Sequence, residues 1–555
     1  MTTRSMTLAM ILGAWLVAPL AVHAADAPKS SAASSTESKS SAPENWAALY
    51  AEQRHESRGS LTLRGKRLEY TAVAGTIMIE DMKNEPGAMM SYVAYFRNGG
   101  SPTTRPITFL YNGGPGSATV WLHMGAFGPK RVVAGNGERG APAPYGLIDN
   151  TDCPLDATDL VFIDAPGTGF GRVGVDVQKL SPGDEREKAQ KQNEELKKDF
   201  YGIDQDGRAF NIFITKFLTR FSRWNSPKYL FGESYGTTRS AVLAQDLAST
   251  SDLDLNGVML LSQIFNFGLS VDNPQNDPGN YLPYVLSLPT YAATAAYHKR
   301  LATPPADLDS FLQTVEHFAI TDYAGALAQG DQLSAQERHA IAEKMHEYIG
   351  LPTDYLEKAN LRVNGGMFNH TLLADQDRTI GRLDTRYAGP SLDPLSKEAE
   401  YDPQSAALSS AYVSTYNEYA RNVLGFPKEE RYRPSADNLW RTWDWKHKQP
   451  GSDQAEATLA ANVIPDLAAV MKTNPQLKVY QFGGYYDLAT PFFAAEYEMH
   501  HLGLPPALQK NIQFDHFDTG HMVYVSPEAL KKLHDDVVAF IESTSGGTSD
   551  EPRGK

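Results

Sequence analysis

From about residue 58 to 104 the pattern of apolar and polar positions reads as strands. The stretches GSLTLRG, LEYTAVAGTIMIED and MMSYVAYFRNGG are rich in β-branched and aromatic residues and are bounded by Gly and Asn. The rhythm then changes. PITFLYNGG (106–114), DLVFIDAPG (159–167), KYLFGESYG (228–236) and GVMLLSQIF (257–265) are short, nearly continuous apolar runs, and LKVYQFGG (477–484) and NIQFDHF (511–517) resume the pattern after a long interruption. Runs of this kind suit strands buried on both faces of a parallel sheet. Helical patterns such as RAFNIFITKFLTRFSRW and TTRSAVLAQDLAS separate several of them. The alternation predicts an α/β protein with a doubly wound, mostly parallel central sheet flanked by helices.

The interruption, about 268–450, carries apolar residues at three- and four-residue spacing, as in PADLDSFLQTVEHFAITDYAGALAQG and LSAQERHAIAEKMHEYIG. It reads as a mainly helical cap inserted between sheet strands, over the strand C-termini where such folds bind ligands. The predicted core therefore has two parts, 44–267 and 451–543. Residues 25–43 are a Ser/Ala-rich stretch without periodicity, expected to be a disordered linker, and 544–555 an equally unstructured tail.

Residues 1–24 change the picture. Arg4, an apolar run and small residues at Ala24 and Ala25 make the pattern of a secretory signal peptide. The run holds Pro19 and lacks a basic stop-transfer flank, so export to the periplasm or medium is expected rather than a membrane anchor. The formal net charge of −15 argues against nucleic acid or an anionic membrane surface as partner. Cys153, the one cysteine, leaves no internal disulfide and reads as structural.

The chemistry starts at GESYG. Ser234 follows an apolar strand and precedes a helical run, with Gly232 and Gly236 beside it, the context of a strained nucleophile turn. A nucleophilic serine needs a base and an orienting acid, in the order Ser, Asp, His for this fold. Asp487 follows one late strand and His521 the last, with His516 and Asp518 as the nearest competitors. The imidazole would take the serine proton while the carboxylate holds its tautomer. The backbone N–H of Tyr235 and of Gly114, in the loop YNGGPGS, are the candidate oxyanion donors.

Read together and in order, NGGPGS, DAPGTGF, GESYG, GGYYDLATP and GHMVY resemble the serine carboxypeptidase family of α/β-hydrolases, from about residue 105 to 525. The resemblance implies Ser234, Asp487 and His521 as the triad, Gly114 and Tyr235 as the oxyanion hole, peptide substrates, no cofactor and no metal. It also implies that Asn112 and Glu233 hold the substrate's terminal carboxylate, a protonated Glu donating to it. The chain departs from the family at the second Glu expected there, where HMGAFGPKRV has Ala126. His123, Lys130 and Arg131 are the candidates to supply a cation instead, which would extend activity to neutral pH; each is otherwise an ordinary surface residue. An esterase or acyltransferase with the same triad is the alternative function, and a binding protein on a hydrolase scaffold the remoter one.

Other features carry less. His339, Glu343 and His346 share a helix face, and Glu498 and His501 repeat that Glu-x-x-His spacing, but no further set of carboxylates completes a metal site. The sequon Asn369–Thr371 is expected to be idle, and the aromatics of NLWRTWDW (438–445) to fill core.

Overall fold

A computed structural model describes residues 50–272, 274–426, 430–436, 439–455 and 460–546. The predicted signal peptide and linker lie outside the described residues, as does the tail beyond 546; Thr544 still belongs to the last helix.

Nine strands make the path of the central sheet: β1 Arg54–Leu63, β2 Lys66–Glu80, β3 Pro86–Arg97, β4 Ile107–Tyr111, β5 Asp159–Ile163, β6 Lys228–Glu233, β7 Gly257–Leu261, β8 Lys478–Gly484 and β9 Ile512–Phe517. Their spatial order is β1-β2-β3-β5-β4-β6-β7-β8-β9, and a short tenth strand, Arg172–Val173, pairs with β3. Pairing is antiparallel from β1 through β5 and parallel from there to β9. The early β-branched and aromatic stretches thus extend the same sheet as antiparallel strands. The short apolar runs supply its parallel part.

The continuity of those runs has a direct cause. On β6, Tyr229 and Phe231 enter one apolar cluster and Leu230 the opposite one; on β7, Met259 and Leu261 divide from Val258 and Leu260 in the same way. Each face is covered, so the middle positions are apolar, and the polar residues of β6, Lys228 and Glu233, fall at its ends. Burying each large side chain contributes roughly 1.5–3 kcal/mol, and truncating Leu260 to Ala would cost about 2–5 kcal/mol.

Two helices lie near the centre of the sheet, α1 (Ile203–Arg220) and α2 (Tyr235–Thr250). Between β7 and β8 the chain makes α3 (Leu282–Tyr297), α4 (Leu308–Phe318), α5 (Ala335–Ile349) and α6 (Pro403–Asn422), with shorter turns among them. The start of α5 is set by a capping box, Ser334 with Glu337. The periodic stretch after 305 is not one regular helix: after α4 it passes through a π-helical turn at Ala319–Tyr323. A third apolar cluster, of residues from this insertion, takes in Tyr486, Leu488 and Phe492 from beyond β8. The insertion and the sheet meet there.

Candidate active site

β6 ends at Glu233 and α2 begins at Tyr235, so the reversal of the chain falls on Ser234. Its φ of 62° and ψ of −131° lie where residues with a side chain are rarely found. Its amide donates to the Leu261 carbonyl at 3.0 Å, and its carbonyl accepts from the Thr237 amide at 2.8 Å. The flanking glycines serve close packing. A Cβ on Gly232 would lie 2.3 Å from the Gly236 carbonyl oxygen, and one on Gly236 would lie 2.9 Å from that of Tyr111. From Lys228 to Ala244, Ser234 is the one residue that is not buried. It stands at the helix N-cap, yet its hydroxyl makes no cap hydrogen bond, which leaves Oγ for chemistry.

The loop after β4 packs against this turn. A Cβ on Gly113 would sit 2.4 Å from the Tyr235 amide nitrogen. Gly114, next along, is exposed and has φ 108°. Gly113, passed over in the motif reading, is what lets Gly114 and the Tyr235 amide share one corner. Arg239, one turn into α2, secures the loop from below. It donates from Nη1 to the Asn112 carbonyl at 2.8 Å and from Nε to Asp206 of α1 at 2.6 Å. Both charges are buried, and the guanidinium lies 4.3 Å from the Phe210 ring centroid. Removing one partner of such a pair costs about 3–5 kcal/mol, because the other charge is stranded.

Asp487 and His521 come from the loops after β8 and β9. His521 Nδ1 lies 2.7 Å from Asp487 Oδ2. Asp487 is fully buried; its Oδ1 accepts the amides of Ala489 at 2.9 Å and Thr490 at 3.0 Å, and its Oδ2 the Thr490 hydroxyl at 2.6 Å. An ionised Asp487 fixes the proton on Nδ1 and leaves Nε2 as the acceptor. Burial pulls the His521 pKa down, but the charge and hydrogen bond of Asp487, helped by Glu233, outweigh it and hold the value above 6.5. The Ser262 hydroxyl, just past β7, donates to the His521 carbonyl at 2.8 Å.

Glu233, the last residue of β6, is buried beside these groups. Burial pushes its carboxyl up to about 7, against the pull of His521 and of hydrogen bonds from Tyr524 and Asn112. The Tyr524 hydroxyl donates to Oε2 at 2.9 Å, and Asn112 Oδ1 accepts the Leu122 amide at 3.1 Å. Tyr524 has a sequence signal, the closing Tyr of GHMVY, to which no role was attached. Thr490 stands inside GGYYDLATP, again without a role attached, and Arg239 had no signal beyond closeness to GESYG.

The cation expected in place of the second Glu is not supplied by His123. That imidazole is buried, stacked on Phe162 with centroids 4.3 Å apart and bonded to the Tyr95 hydroxyl at 2.7 Å; burial pushes it down to about 3, so it is neutral. Lys130 pairs with Asp149, and Arg131 is half-buried on the same short strand. Ala126 itself is buried in a π-helical turn, Leu122–Phe127. Of the competitors for base and acid, His516 packs on Tyr485 and Phe492 and is pushed down to about 4 by burial, while Asp518 is exposed.

The remaining sequence features have structural settings. His339 pairs with Glu357 at 2.7 Å and Glu343 at 3.4 Å on an exposed face. Glu498 is buried and accepts the amides of Phe265 and Asn266, and His501 stacks on Tyr497. Asn369 of the sequon is buried. Trp443 and Trp445 pack against Tyr235, whereas Trp440, also expected in the core, is exposed, and Cys153 is buried with its thiol pushed up.

A mostly parallel sheet with a strained serine turn after a central strand defines an α/β-hydrolase. The chain belongs to the serine carboxypeptidase family, whose family model matches residues 68–529, and is a serine hydrolase. No curated protein matched its sequence. Among solved structures it is similar to the peroxisomal α/β-hydrolase Lpx1 from Saccharomyces cerevisiae, at 11% identity over 91% of this chain and 93% of that one, with a TM-score of 0.32. It is also similar to homoserine O-acetyltransferase from Bacillus anthracis, at 12% identity, 89% and 99% coverage and a TM-score of 0.34. Esterase E22 gives 11% identity, 88% and 100% coverage and a TM-score of 0.33.

Proposed function

We propose that the protein is an exported serine-type carboxypeptidase that removes residues from peptide C-termini through Ser234, His521 and Asp487. His521 Nε2 takes the Ser234 proton as Oγ attacks the scissile carbonyl. The amides of Gly114 and Tyr235 meet the oxyanion, and the same imidazole returns the proton to the leaving amine. Water, activated by His521, then releases the acyl group and regenerates the serine. Export rests on the pattern of residues 1–24.

The observation that carries the peptide reading is the buried Glu233 carboxyl beside the nucleophile. With its pKa at about 7, it is protonated on the acidic side of neutrality. With Asn112 close by, it can donate to a terminal carboxylate where an ionised Glu would repel it. The test is mass spectrometry of a peptide set, half with amidated C-termini, incubated at about pH 6, where Glu233 stays protonated, with the enzyme and with Ser234→Ala. Stepwise loss from free C-termini alone, absent in the variant, is the expected result. Cleavage of p-nitrophenyl esters without any trimming would overturn the peptide reading in favour of an esterase.

A further inference from the structure

The insertion between β7 and β8 does more than cover the sheet. Arg378–Ile380 and Ala388–Pro390 form a small antiparallel hairpin. Its tip, 381–387, enters between the loops that carry Asp487 and His521. The Leu383 carbonyl accepts the amide of His521 itself at 2.7 Å. On the other side, the Arg382 carbonyl accepts the Leu488 amide at 3.1 Å, and the Thr385 amide donates to the Tyr486 carbonyl at 2.9 Å. One tip is thus hydrogen-bonded to both neighbours of Asp487 and to the backbone of His521.

Two side chains complete the grip. Asp384, fully buried, accepts the Gly520 amide on Oδ2 at 3.2 Å. Arg386 bonds Asp384 at 2.6 Å and donates from Nη1 to the Asp518 carbonyl at 2.9 Å. The packing leaves no slack: a Cβ on Gly520 would lie 2.4 Å from that of Asp384. Residues 518, 520 and 521 are all held by one hairpin. A buried ion pair is a costly way to stabilise a fold, since apolar residues of similar volume serve as well or better. The Ser234 turn is held by the sheet and α2, with the buried Arg239–Asp206 pair under the neighbouring Gly-rich loop.

We propose that Asp384 and Arg386 are positioning residues for the base: the hairpin tip sets the His521 loop, and hence the imidazole, against Asp487 and Ser234. The proposal rests on the triad reading above. It makes the insertion part of the catalytic apparatus, because a shift of the hairpin is a shift of His521. A displacement near 1 Å costs on the order of a hundredfold in rate.

The test uses the mature enzyme, active sites counted by end-point labelling with a fluorophosphonate. Asp384→Asn/Arg386→Gln removes both charges together and strands neither. We expect kcat per labelled site to fall by about 10- to 100-fold, with KM within about twofold of the parent. Arg386→Lys keeps the ion pair but not the second contact to the Asp518 carbonyl, and should lose about threefold or more in kcat on the same basis. If the double variant yields no folded protein, Arg386→Lys decides. Parental kcat per labelled site in the variants that fold, with loss confined to the number of sites, would overturn the proposal: the hairpin would then serve folding alone. A parent enzyme not labelled on Ser234 would instead refute the triad reading.

Discussion

The two halves of the candidate site are built on different principles. The nucleophile half, Ser234 with Glu233 and the loop 112–117, sits at the centre of the sheet and is fixed by elements adjacent in space. β4, β6 and β7 abut there, α2 starts there, and the buried Arg239–Asp206 pair locks the Gly-rich loop beneath the turn. The acid–base half, Asp487 and His521, hangs on two loops at the far end of the sheet and is braced by a hairpin from more than a hundred residues earlier in the chain. Strain in the first half is paid for locally by the sheet; order in the second half is borrowed from the insertion. The insertion reaches both ends: Ala436 donates its amide to the Gly116 carbonyl at 2.9 Å and Trp443 and Trp445 pack on Tyr235, but at the far end its hairpin also carries the His521 backbone and a buried ion pair.

Substitutions can break the comparison at either end. The largest effect belongs to the reacting atom: Ser234→Ala should lower kcat by at least about 10⁴-fold with the fold intact, read by peptide turnover and by loss of fluorophosphonate labelling. Asp487→Asn should approach that loss, about 10³- to 10⁴-fold in kcat, because the amide no longer dictates the Nδ1–H tautomer. In the nucleophile half, Arg239→Met strands the Asp206 charge and should cost about 3–5 kcal/mol in chemical denaturation. If the protein instead kept parental stability, the local lock under the Gly-rich loop would be of no consequence.

A smaller effect sharpens the view of how the insertion leaves the core. His447 lies between Asp204 at the start of α1 and Asp466, and although burial opposes it, those carboxylates raise its pKa to about 9. A histidine raised in the folded state contributes stability that is complete below its unfolded value near 6.5 and is lost as pH rises through 9. Stability should thus fall across pH 6.5 to 9, by up to about 3 kcal/mol from this residue. His447→Gln should flatten that part of the curve, measured by denaturant unfolding at each pH.

The same division explains what the sequence disclosed. Apolar runs buried on both faces announced β4 through β8, because a strand covered on each side leaves few polar positions to obscure it. At the sheet edge, β9 leaves Gln513 exposed and Asp515 and His516 partly so. The turn around Ser234 was legible for a related reason: its requirements, small residues and a strand-to-helix switch, are all local. The grip on His521 was not legible. Asp384 and Arg386 look like loop charges in sequence, and only the tertiary approach of their hairpin to Gly520 gives them work. His123 failed as a cation candidate because its neighbours Phe162, Tyr95 and Tyr416 come from separate elements, and its burial could not be foreseen from HMGAFGPKRV.

The central claim is that a neutral Glu233 beside the nucleophile reads a terminal carboxylate, and pH tests it most directly. The measurement is kcat/KM across pH 5 to 9, which spans the Glu233 value of about 7. It compares a peptide with a free C-terminus and an ester of the same acyl group lacking the carboxylate, on the parent and on Glu233→Gln. Both substrates should gain activity as His521 loses its proton. The peptide alone should then lose activity as Glu233 ionises through about 7, and Glu233→Gln should abolish that fall. An equal fall for both substrates, or a fall that persists in Glu233→Gln, would contradict the account.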